Sequence, residues 1–206
     1  MLIHEWDAGS DDEWRSFVDT HGFGVLVAAG SKRDVPVVVS TQFVLRAEEV
    51  LVHLVKQNPI WEAIEENPKV VLCVSGDWVY IPSSWKAIDD EDPTMGIPTT
   101  YYASVQIIGN ARIVDDPEGI AEVLVEQLSQ LQPDVEIVDP LEHGPRLRTI
   151  RAMTVEINEV RSKFKYGGNV DTPHRLAVAR RLDQRDGPGD RAAAVHLRRR
   201  LQTGAS

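Results

Sequence analysis

Apolar and polar positions alternate with a two-residue period through much of this chain, and helical spacing interrupts that pattern at a few marked points. Residues 23–29 and 35–46 read as apolar strands joined by the polar turn Gly30-Ser31-Lys32-Arg33-Asp34. A turn at Ala47-Glu48-Glu49 leads to a third strand, where Leu51, His53 and Val55 alternate with Val52, Leu54 and Lys56. Strands follow at 69–75 and 78–81, with Gly76-Asp77 suited to a tight hairpin between them, and at 101–114 and 155–160. His53 shares a side with Leu51 and Val55 and reads as a wall or core histidine.

The helices announce themselves by their caps. Ser10 and Glu13 form a capping box for a helix reaching Thr20. Asn58-Pro59 and Asp116-Pro117 each place a capping side chain before a proline at the first helical position, opening helices 59–66 and 117–131. In the second of these, Leu124, Leu128 and Leu131 make an apolar stripe flanked by Val123 and Gln127. Residues 146–152 also look helical. Helical spacing resumes over 173–185, breaks at Gly187-Pro188-Gly189, and returns from Asp190 to Leu201. Strands outnumber helices and are joined mostly by short turns, which predicts an α+β fold: a mostly antiparallel barrel with peripheral helices.

A chain of 206 residues can bury roughly 70% of its unfolded surface. No apolar run reaches the length of about 20 residues needed for a membrane span. The start, Met1 to Asp7, lacks the basic and apolar regions of a signal peptide. Cys73, the single cysteine, sits in the apolar run Val70–Val74 and is expected to fill core, so a cytoplasmic location is the expectation. Charge is uneven. Residues 171–206 carry eight Arg and four Asp, whereas residues 1–170 carry 14 basic and 28 acidic groups. An acidic body repels a nucleic-acid backbone, so direct DNA contact is not expected; the basic tail is expected to pack on the body of its own or a partner subunit.

Candidate chemistry centres on a few segments. A helix N-terminus beside a lysine, as at Lys56-Gln57-Asn58, suits an anion such as phosphate. Lys163 and Lys165 share one face of an extended segment, and Gly167-Gly168 lets backbone pass close. Trp85 follows Pro82-Ser83-Ser84 in a loop-like context, and Tyr101 and Tyr102 open an alternating strand. Residues 86–97 form an acidic loop containing Asp89, Asp90, Glu91 and Asp92 that is expected to be mobile. No Gly-x-Ser-x-Gly, paired-Cys or His-Glu-x-x-His pattern occurs, and spacing alone selects no acid–base pair.

Four segments occur in register: His53 to Trp61, Tyr80 to Trp85, Ile97 to Tyr102 and Lys163 to Asn169. In that order and spacing the chain, over about residues 1–200, resembles the PaiB-like family of FMN-binding negative transcriptional regulators. The resemblance implies a split β-barrel of the pyridoxamine-phosphate-oxidase type over residues 1–170, a helical basic extension over 171–206, and a homodimer with FMN at its interface. On that template Lys56, Gln57 and Asn58 take the phosphate, and Ser40, Thr41 and Gln42 lie along the ring. Trp61, Ser84, Trp85, Tyr101 and Tyr102 belong to the flavin surroundings, and Lys163, Lys165 and Asn169 to the closing segment. Three stretches depart from the family pattern: Ser40-Thr41-Gln42, Thr99-Thr100-Tyr101-Tyr102 and Gly167-Gly168-Asn169. Two functions stay open: indirect transcriptional regulation by a flavoprotein, and a flavin-dependent oxidoreductase acting on a small molecule. A barrel that has exchanged FMN for a deazaflavin or haem is a third.

Overall fold

A computed structural model describes residues 1–86 and 92–199. Asp89, Asp90 and Glu91, and the end of the last helix at Leu201, lie outside the described residues. Seven strands join in one sheet in the order β2-β1-β5-β6-β7-β4-β3. They are β1 (Phe23–Ala28), β2 (Val37–Gln42), β3 (Val44–Arg46), β4 (Glu49–Val55), β5 (Lys69–Ile81), β6 (Thr99–Val114) and β7 (Ile150–Lys165). The ladders β1–β2, β1–β5, β3–β4 and β4–β7 are all antiparallel. Among the described residues there are five α-helices: α1 (Asp11–Thr20), α2 (Ile60–Glu66), α3 (Pro117–Leu131), α4 (Thr172–Arg185) and α5 (Asp190–Arg199). The architecture is α+β, as the patterning predicts.

The chain gathers into two compact units. One comprises Met1–Trp14, Ser75–Val105 and the chain from Ser162 onward; the other comprises Arg15–Val74 and Gln106–Arg161. The second unit holds a core of Val44, Leu51, Val114, Ile120, Val123, Leu147 and Ala152. Asp116 caps α3 by accepting from the Gly119 N–H at 2.7 Å. Gln127, buried on α3, donates through Nε2 to the Leu51 carbonyl at 3.2 Å, which turns its Oε1 toward His53 Nδ1 at 2.6 Å. An amide oxygen can only accept, so His53 carries its proton on Nδ1. The histidine is a satisfied wall residue, as its register suggests.

Several expectations shift. The strand expected over 35–46 is two, because Phe43 turns into the core at 1% exposure and gives its N–H to the Gly22 carbonyl. The inner face of α3 is Ile120, Val123 and Gln127, and Leu131 is 46% exposed, so the Leu124–Leu128–Leu131 stripe is not the buried one. Residues 146–152 do not form one helix: 3-10 turns occupy Pro140–Thr149, and β7 has begun at Ile150.

In the first unit Gly76-Asp77 makes no hairpin; β5 runs through it, with Asp77 at φ 51. That left-handed residue has a purpose in the packing. Its carbonyl accepts from Tyr166 Oη at 2.9 Å, and its carboxylate meets His196 Nε2 of α5 at 2.8 Å. The Tyr166 and His196 rings stack at 4.4 Å, so α5 is pinned by a buried polar pair and an aromatic contact together. Between α4 and α5, Arg185 binds the carboxylate of Asp190, which is 1% exposed, and also the Tyr80 carbonyl. Gly189, at φ 82, approaches the Trp78 carbonyl so closely that a Cβ would come within 2.7 Å of it.

Candidate functional site

The first unit contains a cavity of about 680 Å³. Three lysines face it: Lys163 and Lys165 from β7, two residues apart and so on one side, and Lys86 from the turn after the 3-10 segment Ser83–Trp85. His4, Trp6 and Asp7 line it from the N-terminal segment, Thr99 and Tyr101 from β6, and His174 from α4. The N-terminal segment is held in place by β7. Ala8 bridges to Lys163, and Lys163 Nζ donates to the Leu2 carbonyl at 2.9 Å. Gly168 is a glycine because a Cβ there would fall 2.2 Å from the Trp6 carbonyl. Asp171 fixes the other wall by capping α4, accepting from the His174 N–H at 2.8 Å.

The electrostatics are one-sided. Asp7, 3% exposed, is the one carboxylate among the described lining residues, and it lies 4.0 Å from Lys163 Nζ. Lys165 Nζ donates to the Thr99 hydroxyl at 2.7 Å. Burial, then the neighbouring Lys165 ammonium, holds Lys86 below the usual lysine range. Burial, then the Lys86 charge, likewise pushes His174 below the ordinary histidine value. Tyr101 is pushed up to about 12, first by burial and then by the Asp7 charge. Among the described residues, neither Tyr101 Oη nor His174 Nε2 has a hydrogen-bond partner, although both are buried. Such groups cost free energy unless something meets them. Trp6 stacks on His4 at 4.6 Å and 9° and is still 46% exposed, which leaves aromatic surface at the mouth.

This cavity brings together Tyr101, Lys163, Lys165 and Asn169 of the residues singled out from the sequence. Tyr101 is the inward member of its pair; Tyr102 is half-buried with Lys163 Nζ 5.8 Å from its ring. Ser84 is exposed, and Trp85 lies under the guanidinium of Arg185 at 4.9 Å. The remaining candidates belong to the second unit. There Ser40 and Gln42 are exposed, and Thr41 is buried with its hydroxyl on the Gln42 carbonyl. Lys56 and Gln57 are exposed, and the Asn58 side chain accepts from the Ile60 N–H at 3.0 Å. Trp61 is 2% exposed, donates Nε1 to the Val55 carbonyl, and carries Arg151 over its ring at 5.2 Å.

His4, Trp6, Asp7, Lys86 and His174 escape the sequence reading. The first three depend on a bridge between residues 155 positions apart, Ala8 and Lys163, which no local pattern carries. His174 had a usable signal: Asp171-Thr172-Pro173 marks a helix start, and the third helical residue lies beside whatever that start faces.

With this geometry in hand, comparison with known proteins is specific. The sequence pattern of the family described as "Putative FMN-binding domain" matches residues 2–161. No curated protein matches the chain. Among solved structures, the flavocytochrome Anf3 from Azotobacter vinelandii is 20% identical, with 84% of this chain and 77% of that one covered at a TM-score of 0.62. The FAD and heme binding protein from Mycobacterium smegmatis is 14% identical, with 82% and 78% covered at a TM-score of 0.63. At these identities the likeness establishes the fold, an FMN-binding-type split barrel.

Proposed function

Because the chain belongs to this FMN-binding-domain family, we propose that it is a flavoprotein oxidoreductase acting on a small molecule, with the phosphate end of FMN in the first unit's cavity. One observation carries this reading. Among the described lining residues, three ammonium groups against one carboxylate leave about two positive charges, and a phosphate monoester brings about −1.5 to −2 at neutral pH. The donor chemistry therefore fits the cofactor. The Lys56–Asn58 turn fits less well, because donors a phosphate would need are already used there: the Asn58 N–H and Trp61 Nε1 go to the Val55 carbonyl, and the Ile60 N–H to Asn58 Oδ1.

Bound FMN supplies transfer of electrons and hydride between a donor and the small molecule. The chain's own groups bind and orient. Lys86, Lys163 and Lys165 neutralise the phosphate, and Trp6 and Tyr101 offer apolar faces to an aromatic body. Tyr101 keeps its proton throughout the physiological range, so its hydroxyl serves as a fixed donor. Two structures of similar fold are a flavocytochrome and an FAD and heme binding protein, which supports redox work on this scaffold and keeps haem as an outcome to test.

The PaiB-like resemblance supports a second reading, a homodimer that influences transcription. On this chain that influence is indirect. Four of the tail arginines are engaged within it: Arg181 and Arg185 bind the Ser84 and Tyr80 carbonyls, Arg191 pairs with Asp186, and Arg198 with Asp183. An acidic body with half of its tail arginines so engaged makes a poor phosphate-backbone surface.

The first experiment is an absorption spectrum of the purified protein, followed by titration with FMN and with riboflavin. FMN should bind, and riboflavin should bind at least tenfold more weakly, since hydrogen bonds to a charged group contribute about 1.5–3 kcal/mol. Equal affinities for the two would remove the phosphate from the cavity. Faster bleaching of bound than of free flavin by NADH or NADPH supports the enzyme; no acceleration with either favours the regulator.

A further inference from the structure

Resting on the reading that this cavity takes a phosphate, we propose that His174 is its specificity-determining residue: it selects a phosphate monoester dianion by accepting a proton as that dianion binds and then donating from Nε2. The geometry behind this is local. His174 sits at the third residue of α4, with its backbone N–H fixed by the Asp171 carboxylate. Its Nε2 is buried, has no partner among the described residues, and belongs to a side chain lining the cavity.

The charged groups around it set the sign. On its own helix stand Asp171, whose charge favours the imidazolium, and Arg181, which opposes it. From the turn after the Ser83–Trp85 segment, Lys86 opposes it more strongly, and Lys165 of β7 in turn bears on Lys86. His4 and Asp7 of the N-terminal segment, Tyr101 of β6 and Lys163 of β7 complete the titratable lining among the described residues. In the empty cavity, burial and these cations keep the imidazole neutral. An entering dianion cancels the lysine field, and the balance reverses. The imidazole then gains a proton and offers Nε2–H to a phosphoryl oxygen, a charge-assisted hydrogen bond that a neutral ring makes less strongly. A carboxylate or sulfonate monoanion is neutralised by fewer cations and leaves the opposing field in place, so it draws no proton.

The sign of the pH dependence follows. His174 has a higher pKa in the complex than in the free protein, so the proton's contribution is fully present below the free value and lost as pH rises through the complexed one. Between about pH 6.5 and 8, where the ligand is already dianionic, affinity should fall toward tenfold per pH unit, the slope for one linked proton.

The test uses the full chain and isothermal calorimetry with FMN and with phenyl phosphate, at several pH values and in buffers of different ionisation enthalpy. Uptake of close to one proton per dianion is expected for the native chain, with benzoate giving none. His174→Gln and His174→Asn should bind FMN with no pH slope above 6.5. Native binding with no proton uptake, or an unchanged slope in both variants, overturns the role of His174 while leaving FMN binding intact. If FMN does not bind yet phenyl phosphate binds with proton uptake, the flavin placement fails and the dianion site stands. If neither binds, both fall. Native and variant circular dichroism spectra decide whether a lost slope is a loss of fold.

Discussion

Tyr101 combines two properties that rarely coexist at no cost. It is 2% exposed, and its hydroxyl has no hydrogen-bond partner among the described residues. Removing an unmet polar atom from a buried site is close to neutral, or favourable, for the ligand-free protein. Tyr101→Phe should therefore leave the urea midpoint unchanged or raise it, while weakening FMN binding if the hydroxyl meets the ligand; a loss of about 2 kcal/mol or more in unfolding free energy would show an unseen partner. The phenol also leaves a mark at high pH. With its pKa raised to about 12, the neutral form stabilises the fold fully below pH 10, and this contribution is lost between about 10 and 12. Ultraviolet titration near 295 nm should show one tyrosine ionising last, and Tyr101→Phe should remove that step.

At the scale of elements, capping chemistry was the most legible part of the chain. Ser10 accepts from the Glu13 N–H at 3.2 Å, and Asp116 caps α3 as its place before Pro117 suggests. These signals are local, so a sequence shows them directly. Asp116→Ala should lower stability by about 1 kcal/mol, seen as a shifted urea midpoint with unchanged slope. What the sequence hid was non-local. Gly76-Asp77 looks like a hairpin because a Gly-Asp pair tolerates positive φ, yet Asp77 takes that conformation inside β5 to meet Tyr166 and His196, about 90 and 120 residues away. Likewise Gly109 is fixed by the Glu156 carbonyl, 2.2 Å from where a Cβ would stand. Gly109→Ala should cost about 1–3 kcal/mol by overpacking, a much larger effect than the same change at Gly22, where the Cβ would make only an ordinary contact with the Phe43 carbonyl at 3.6 Å. Of the candidate site, the paired lysines of β7 were readable from a two-residue period, whereas its N-terminal wall was not.

For the whole molecule, charge governs both partners and pH response. Arg185 holds the buried Asp190 carboxylate below its usual range, and Arg151 does the same for Asp115. Depressed carboxylates stabilise the fold above their unfolded values, near pH 4, and that stability is lost as pH falls through the folded ones. Asp190→Asn should thus be less stable than the native chain at pH 7, with the gap closing below pH 4 in thermal melts. With a formal net charge of −10, the protein should give no salt-sensitive shift with duplex DNA; a specific shift that strengthens at low salt would make it a direct DNA-binding regulator.

The described cavity wall is drawn from residues between 4 and 7, from Lys86, and from residues between 95 and 101 and between 163 and 174, so its first and last contributors are 170 positions apart. At roughly 5–20 residues per second of synthesis, the His4 codon is read on the order of ten to thirty seconds before the His174 codon. A nascent chain therefore has no complete pocket until α4 has been made. On the proposed placement of FMN, a product truncated before α4 would be unable to retain the cofactor.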